Sequence, residues 1–162
     1  MLKTLVDSVW NMVKISLDND SYMPGGTITA TVTVSLGSPT KARGLYAKLI
    51  CTEGRIHRRT VVMDKYMLDR EHELGVPYTT NTQQEEEMRS RVIFEQEKKV
   101  AGEGNYSSGT FTVSFTLPEN AAPTSHDFGH DDRTHVWKLS AKLDLPLALD
   151  KGDEAEVIVG GL

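Results

Sequence analysis

With 162 residues, 38% of them apolar and 25% charged, the chain can bury one hydrophobic core and is too apolar to be disordered. A net charge of −5 argues against a general nucleic-acid binder. No stretch approaches the roughly 20 apolar residues that a membrane-spanning helix requires.

The chain opens on MLKTLVDSVW, where Asp7 interrupts the apolar run before it reaches the length of a signal-peptide core. The one cysteine, Cys51, has no partner for an internal disulfide, so a reducing compartment is expected, by default the cytoplasm. A weak alternating strand is expected over 9–17. Met23-Pro24-Gly25-Gly26 then reads as a turn, because proline fixes φ and glycine supplies a positive one.

From residue 27 the chain alternates strictly. Ile28, Ala30, Val32, Val34 and Leu36 fall on one side, and Thr27, Thr29, Thr31, Thr33 and Ser35 on the other. Side chains along a strand point to opposite faces, so this is a strand with one buried and one wet face. Gly37-Ser38-Pro39 is expected to end it. A weaker strand covers 45–51. Beyond it, 56–63 and 88–99 are expected to form two long strands of a hairpin, and a short helix is expected over 64–74, stopped by Gly75 and Pro77. Alternation returns at 109–117, with Phe111, Val113, Phe115 and Leu117 inward. It returns again at 136–145, with Trp137, Leu139, Ala141, Leu143 and Leu145 inward, and more weakly at 155–159. Half-buried strands separated by Gly and Pro turns predict an all-β, antiparallel immunoglobulin-like sandwich, in one domain spanning 1–162 with a hairpin or insertion at about 56–99.

Several segments resemble the arrestin-like domains. Residues 13–31 carry Asp18, Asn19, Tyr22, Pro24 and Gly25 between a strand and an alternating strand. Lys41-Ala42-Arg43-Gly44-Leu45 is similar to the entry of that family's third strand. Residues 109–118 look like its glycine-led strand ending in Leu-Pro, and Pro123, Thr124 and Ser125 sit where the family has a Pro-Ser loop. The order holds from about Val9 to Val159, and is most like the group that includes the sporulation-control proteins. The resemblance implies an arrestin-like sandwich, one copy where the family usually has two. It also implies a scaffold that binds a partner protein or tail and is not an enzyme. The paired phosphate-sensing lysines of visual-type arrestins are not matched; Lys14 alone lies near that strand.

Two clusters carry the candidate chemistry. On a strand, Arg55, His57 and Arg59 share one face, with Arg58 on the other. Arginine forks suit carboxylate and phosphate, so one reading is a docking patch for an acidic or phosphorylated segment. The plainer reading is a solvated face opposite Glu85, Glu86 and Glu87 of the hairpin. Charge asymmetry fits either: residues 1–63 hold eight Lys and Arg against four Asp and Glu. The second cluster is HDFGHDDRTH at 126–135. His126, His130, Asp131 and His135 supply imidazole and carboxylate, the ligand types of a divalent transition metal. This gives an alternative function as a metal- or small-ligand-binding loop; the plainer reading is an exposed polar loop. No nucleophile–base motif occurs, and an open sheet edge offers a route to a homodimer.

Overall fold

The computed structural model describes residues 12–62, 82–129, 131–146 and 148–160, with the backbone alone at 59–62 and 82–84. The helix expected over 64–74 lies outside the described residues, as do Trp10 and His130. Seven strands follow in chain order: β1 (Met12–Leu17), β2 (Thr27–Ala42), β3 (Gly44–Val62), β4 (Thr82–Ala101), β5 (Gly104–Thr116), β6 (Arg133–Asp144) and β7 (Lys151–Val157). They form two antiparallel sheets, ordered β1-β2-β5 and β4-β3-β6-β7. The all-β antiparallel sandwich expected from alternation is therefore the observed class.

The alternating residues build the core as the pattern requires. Ile28, Ala30, Val32, Val34 and Leu36 are buried on β2, and Val113 and Phe115 on β5. Leu45, Ala47, Leu49 and Cys51 on β3 face them together with Trp137, Leu139, Ala141 and Leu143 on β6. Burying such side chains removes apolar surface from water at roughly 25 cal/mol per Å², and this holds the two sheets together. Phe111, expected inward, is only partly buried and packs on Tyr106 with ring centroids 6.0 Å apart.

Turns behave as their chemistry predicts, with one exception. Gly25 takes φ +79°, its N–H donates to the Pro118 carbonyl at 3.0 Å, and Gly26 N–H donates to the Met23 carbonyl at 2.9 Å. Gly37-Ser38-Pro39 does not end its strand. β2 runs on to Ala42, and its register with β5 shifts between Ser35 and Thr40. A proline that cannot donate to a ladder is accommodated at such an irregularity.

The sandwich is closed on one side. Ile15 N–H on β1 donates to Asp153 Oδ2 on β7 at 2.9 Å, and Tyr22 forms a parallel bridge with Val159. On the other side β4 is an edge strand. β3 and β4 also outrun β6: Gly44 to Arg55 pair with β6, whereas Ile56 to Val62 pair only with β4 among the described residues.

Candidate interaction face

The site follows from the register of three strands. Cys51 pairs with Phe94 on one side and Trp137 on the other, a row that faces the core. Successive rows alternate between the two faces of the sheet. The row of Thr52, Val92 and Val136 therefore faces outward, and that of Glu53, Arg91 and His135 inward. Gly54, Ser90 and Thr134 face outward, and Arg55, Arg89 and Arg133 inward again. Beyond Glu53 the inner face opens to solvent, since Arg55, His57, Arg89 and Arg91 are all exposed. A cleft of about 450 Å³ is lined there by Arg55, His57, Arg89, Ser90 and Arg91.

Three arginines thus stand side by side on adjacent strands. Like charges directly opposite one another repel. The compensation around them is partial. Arg89 meets Glu87 at 3.1 Å and Arg91 meets Glu53 at 3.2 Å. Arg55 has no hydrogen-bond or ion-pair partner among the described residues, and the buried Nε of Arg133 has no hydrogen-bond partner.

Glu53 lies behind the cleft, paired with Arg91 of its lining. It is the buried charged residue of the described chain, 4% exposed. Its carboxylate accepts from Arg91 Nε at 3.2 Å and meets His135 Nε2 at 3.1 Å. Burial pushes this carboxyl up, but the His135 bond and the nearby Arg91 and Arg133 charges outweigh burial and hold it below its ordinary value of 4.5. Glu53 is therefore an anion at neutral pH, already shared between two partners.

The other expected residues are placed differently. Arg58 lies on the opposite face, where it pairs with Glu86 at 3.1 Å and with Asp132. Asp132 has a left-handed backbone, φ 55°, which short polar residues tolerate. Its carbonyl accepts from Ile56 N–H at 3.1 Å while its carboxylate holds Arg58. The Asp132 hydrogen bond, followed by that of Glu86, raises the Arg58 guanidinium above its ordinary value. His57 stands opposite Glu87, Arg58 opposite Glu86 and Arg59 opposite Glu85 in the ladder, the arrangement the plainer sequence reading expects. The Arg59 side chain lies outside the described residues. Lys14 is exposed on β1, in the other sheet, and is not brought to the arginines.

The histidine loop is divided among separate partners. His126 Nε2 pairs with Glu156, His135 Nε2 faces Glu53, and Asp131 is exposed. Among the described residues no three His, Cys, Asp or Glu side chains come together as a metal-ligand set. His130 lies outside the described residues. Sequence reasoning missed Arg89, Arg91 and Arg133. The two-residue spacing of Arg89 and Arg91 was visible as a same-face pair, but only the register brings them beside Arg55.

No known family's sequence profile matches the chain, and no curated protein matches it in sequence. Solved structures do match it. One is Spo0M, a sporulation control protein from Bacillus subtilis, with a TM-score of 0.59 and 20% sequence identity, covering 93% of this chain and 49% of that one. The chain therefore spans about half the length of this structural neighbour. The arrestin-like sandwich expected from the ordered motifs is the fold that this match shows.

Proposed function

We propose that the chain is a non-catalytic interaction module that docks an acidic segment of another protein on the cationic inner face of β3, β4 and β6. The observation that carries this reading is the in-register row of Arg89, Arg55 and Arg133, with Arg55 unpartnered among the described residues. Such a row weakens the free protein and is relieved by an anion laid across it. The free edge of β4 supports docking less well. Its register with β3 shifts between Cys51 and Thr52, leaving Ile93 as an extra residue, and the strand is densely charged from 85 to 99. Lys98 reaches inward from β4 to the Ser114 carbonyl and sits 5.1 Å from the centroid of the Phe115 ring. Bulges and inward lysines are the devices that keep an edge from accepting a foreign strand.

The one cysteine does not support a catalytic role. Burial pushes the Cys51 thiol up to about 11, so it stays protonated and unreactive at neutral pH. A free buried thiol also suits a reducing compartment such as the cytoplasm.

Fluorescence anisotropy with a labelled Asp/Glu-rich peptide tests the reading. The peptide is expected to bind the intact chain, more weakly as salt rises. Arg55→Glu is expected to weaken it by about tenfold or more, as loss of a charge-assisted contact does, whereas Arg58→Glu on the opposite face should change it by less than about twofold. Binding that ignores Arg55→Glu and vanishes with Arg58→Glu would move the docking site to the other face.

A further inference from the structure

We infer that the outer face of the same three strands carries a second docking site, a trough over Gly54 that takes one large apolar side chain of a partner polypeptide with an acidic residue beside it. This goes beyond the docking reading above and does not depend on it.

The trough follows from three successive outward rows. Gly54, Ser90 and Thr134 form the middle row, on β3, β4 and β6. All three are small, and the central one has no side chain. Thr134 Oγ1 lies where a Cβ on Gly54 would go, so this glycine shapes the floor. Larger residues stand in the rows on either side. Met88 pairs with Ile56 in one, and Val92 and Val136 flank Thr52 in the other. Rows on one face repeat every two residues, about 6.8 Å, which leaves room for one side chain over the middle row. The middle row, Met88, Thr52 and Val136 line a cleft of about 390 Å³.

Three observations select the occupant. The first is exposure: Met88 is 72% exposed and Val92 53%, two large apolar side chains of one strand left in water. Walls this open do not enclose a small molecule, whose pocket covers roughly 70–90% of its surface. They suit a single apolar anchor of a larger partner, ringed by polar contacts. The second is the hydroxyls of Thr52, Ser90 and Thr134, which have no hydrogen-bond partner among the described residues. They can donate to and accept from the peptide groups on either side of an anchor. The third is charge. The charged residues of the lining, Arg89 and Lys138, are both cations. Arg89 is held by Glu87 at 3.1 Å, whereas Lys138 meets Glu154 only at 3.9 Å, with both side chains more than half exposed. A pair of that kind contributes little, so Lys138 exchanges readily to a carboxylate next to the anchor.

The test is nuclear magnetic resonance titration of the intact chain, following the methyl signals of Met88 and Val136. The probes are an acetylated Gly/Ser peptide carrying Leu-Asp, the same peptide with Ala-Asp, the same with Leu-Asn, and free 4-methylpentanoate. The Leu-Asp peptide is expected to shift both methyl signals. The Ala-Asp peptide should bind at least about tenfold more weakly, for want of the buried side chain. The Leu-Asn peptide should lose about twofold to fivefold, as an exposed ion pair does. Met88→Glu places a carboxylate in the wall at an exposed position and should abolish binding, with circular dichroism confirming the fold. Equal affinity for the leucine and alanine peptides would overturn the apolar anchor. Equal affinity for the Asp and Asn peptides would overturn the role of Lys138. Binding of 4-methylpentanoate as tight as that of the peptide would overturn the polypeptide source in favour of a small carboxylate. Binding that survives Met88→Glu, or that leaves both methyl signals unmoved, would remove the trough as the site. The inner-face reading is tested by another peptide and by Arg55→Glu, so either can fail alone.

Discussion

Tyr22 illustrates how one side chain ties local turn chemistry to stability. Its hydroxyl donates to Asp18 Oδ1 at 2.5 Å and accepts from Asn19 N–H at 3.1 Å, while Asp18 also accepts from Thr29 N–H at 3.2 Å. The ring is buried, and its backbone bridges to Val159, just beyond the end of β7. Burial, followed by the Asp18 hydrogen bond, pushes the phenol from 10.0 up to about 12. The neutral form is therefore the one the fold stabilises. Its contribution is complete below pH 10, where an unfolded tyrosine is also neutral, and is lost as pH rises toward about 12. Denaturant titrations of the wild type and Tyr22→Phe across this range check the sign. The wild type should be the more stable at pH 7, and its advantage should shrink above pH 10. An advantage that grows with alkaline pH would show that Tyr22 ionises more easily folded than unfolded. The hydrogen-bonded pair was foreshadowed in the sequence by the motif that placed Asp18 and Tyr22 around a Pro-Gly turn.

At the scale of elements, the ladder of β3 against β4 and β6 sets affinity against stability. Replacing Arg55 by threonine removes the middle charge of the row and supplies a residue that favours strands. The free protein is expected to gain roughly 0.2–1 kcal/mol from the lost repulsion, a rise in Tm of about 1–4 °C, while acidic-peptide binding falls away. Differential scanning calorimetry measures the first effect; a lowered Tm would mean that Arg55 is already compensated in the free protein. The strands themselves were legible, because alternation between Thr27 and Leu36 or between Trp137 and Leu145 leaves one choice of buried face. Half of the candidate site was legible too, in the spacing of Arg55 and His57. The other half was not. Arg89 reaches Arg55 only through the register of β4 on β3, and Arg133 only through a pairing between residues far apart in sequence. Period-two patterning fixes which face a residue takes but not which residue stands opposite. The same limit explains Pro39, which signals a break that neighbouring strands instead absorb as an irregularity.

For the whole molecule, the question is what keeps the open side of the sandwich together. The β1–β7 side is fastened by the Ile15–Asp153 hydrogen bond and the Tyr22–Val159 bridge. The β4 side is held by the Lys98 hydrogen bond to the Ser114 carbonyl of β5 and by packing. Trp137 sits at its centre, 1% exposed, with its ring 5.4 Å from Phe94 of β4 and its Nε1 donating to the Ala122 carbonyl at 2.8 Å. One indole thus joins an interior strand, an edge strand and the loop that leads into β6. Trp137→Ala should leave a cavity that the neighbouring strands cannot fill, at a cost of about 3–5 kcal/mol. Trp137→Phe keeps most of the ring and forfeits the hydrogen bond, for a smaller loss near 1 kcal/mol. Domains of this kind hold about 5–15 kcal/mol in total, so the alanine variant should sit close to unfolding at ordinary temperatures. Urea titration should show a large drop in midpoint with an unchanged slope if the two sheets melt together. A shallower slope, with β4 amides exchanging while the β1–β7 side stays protected, would mean instead that the edge carrying Arg89 and Arg91 opens separately. The arginine row would then be a surface assembled by local order, and its affinity for an anion would fall with every change that loosens Phe94 from Trp137.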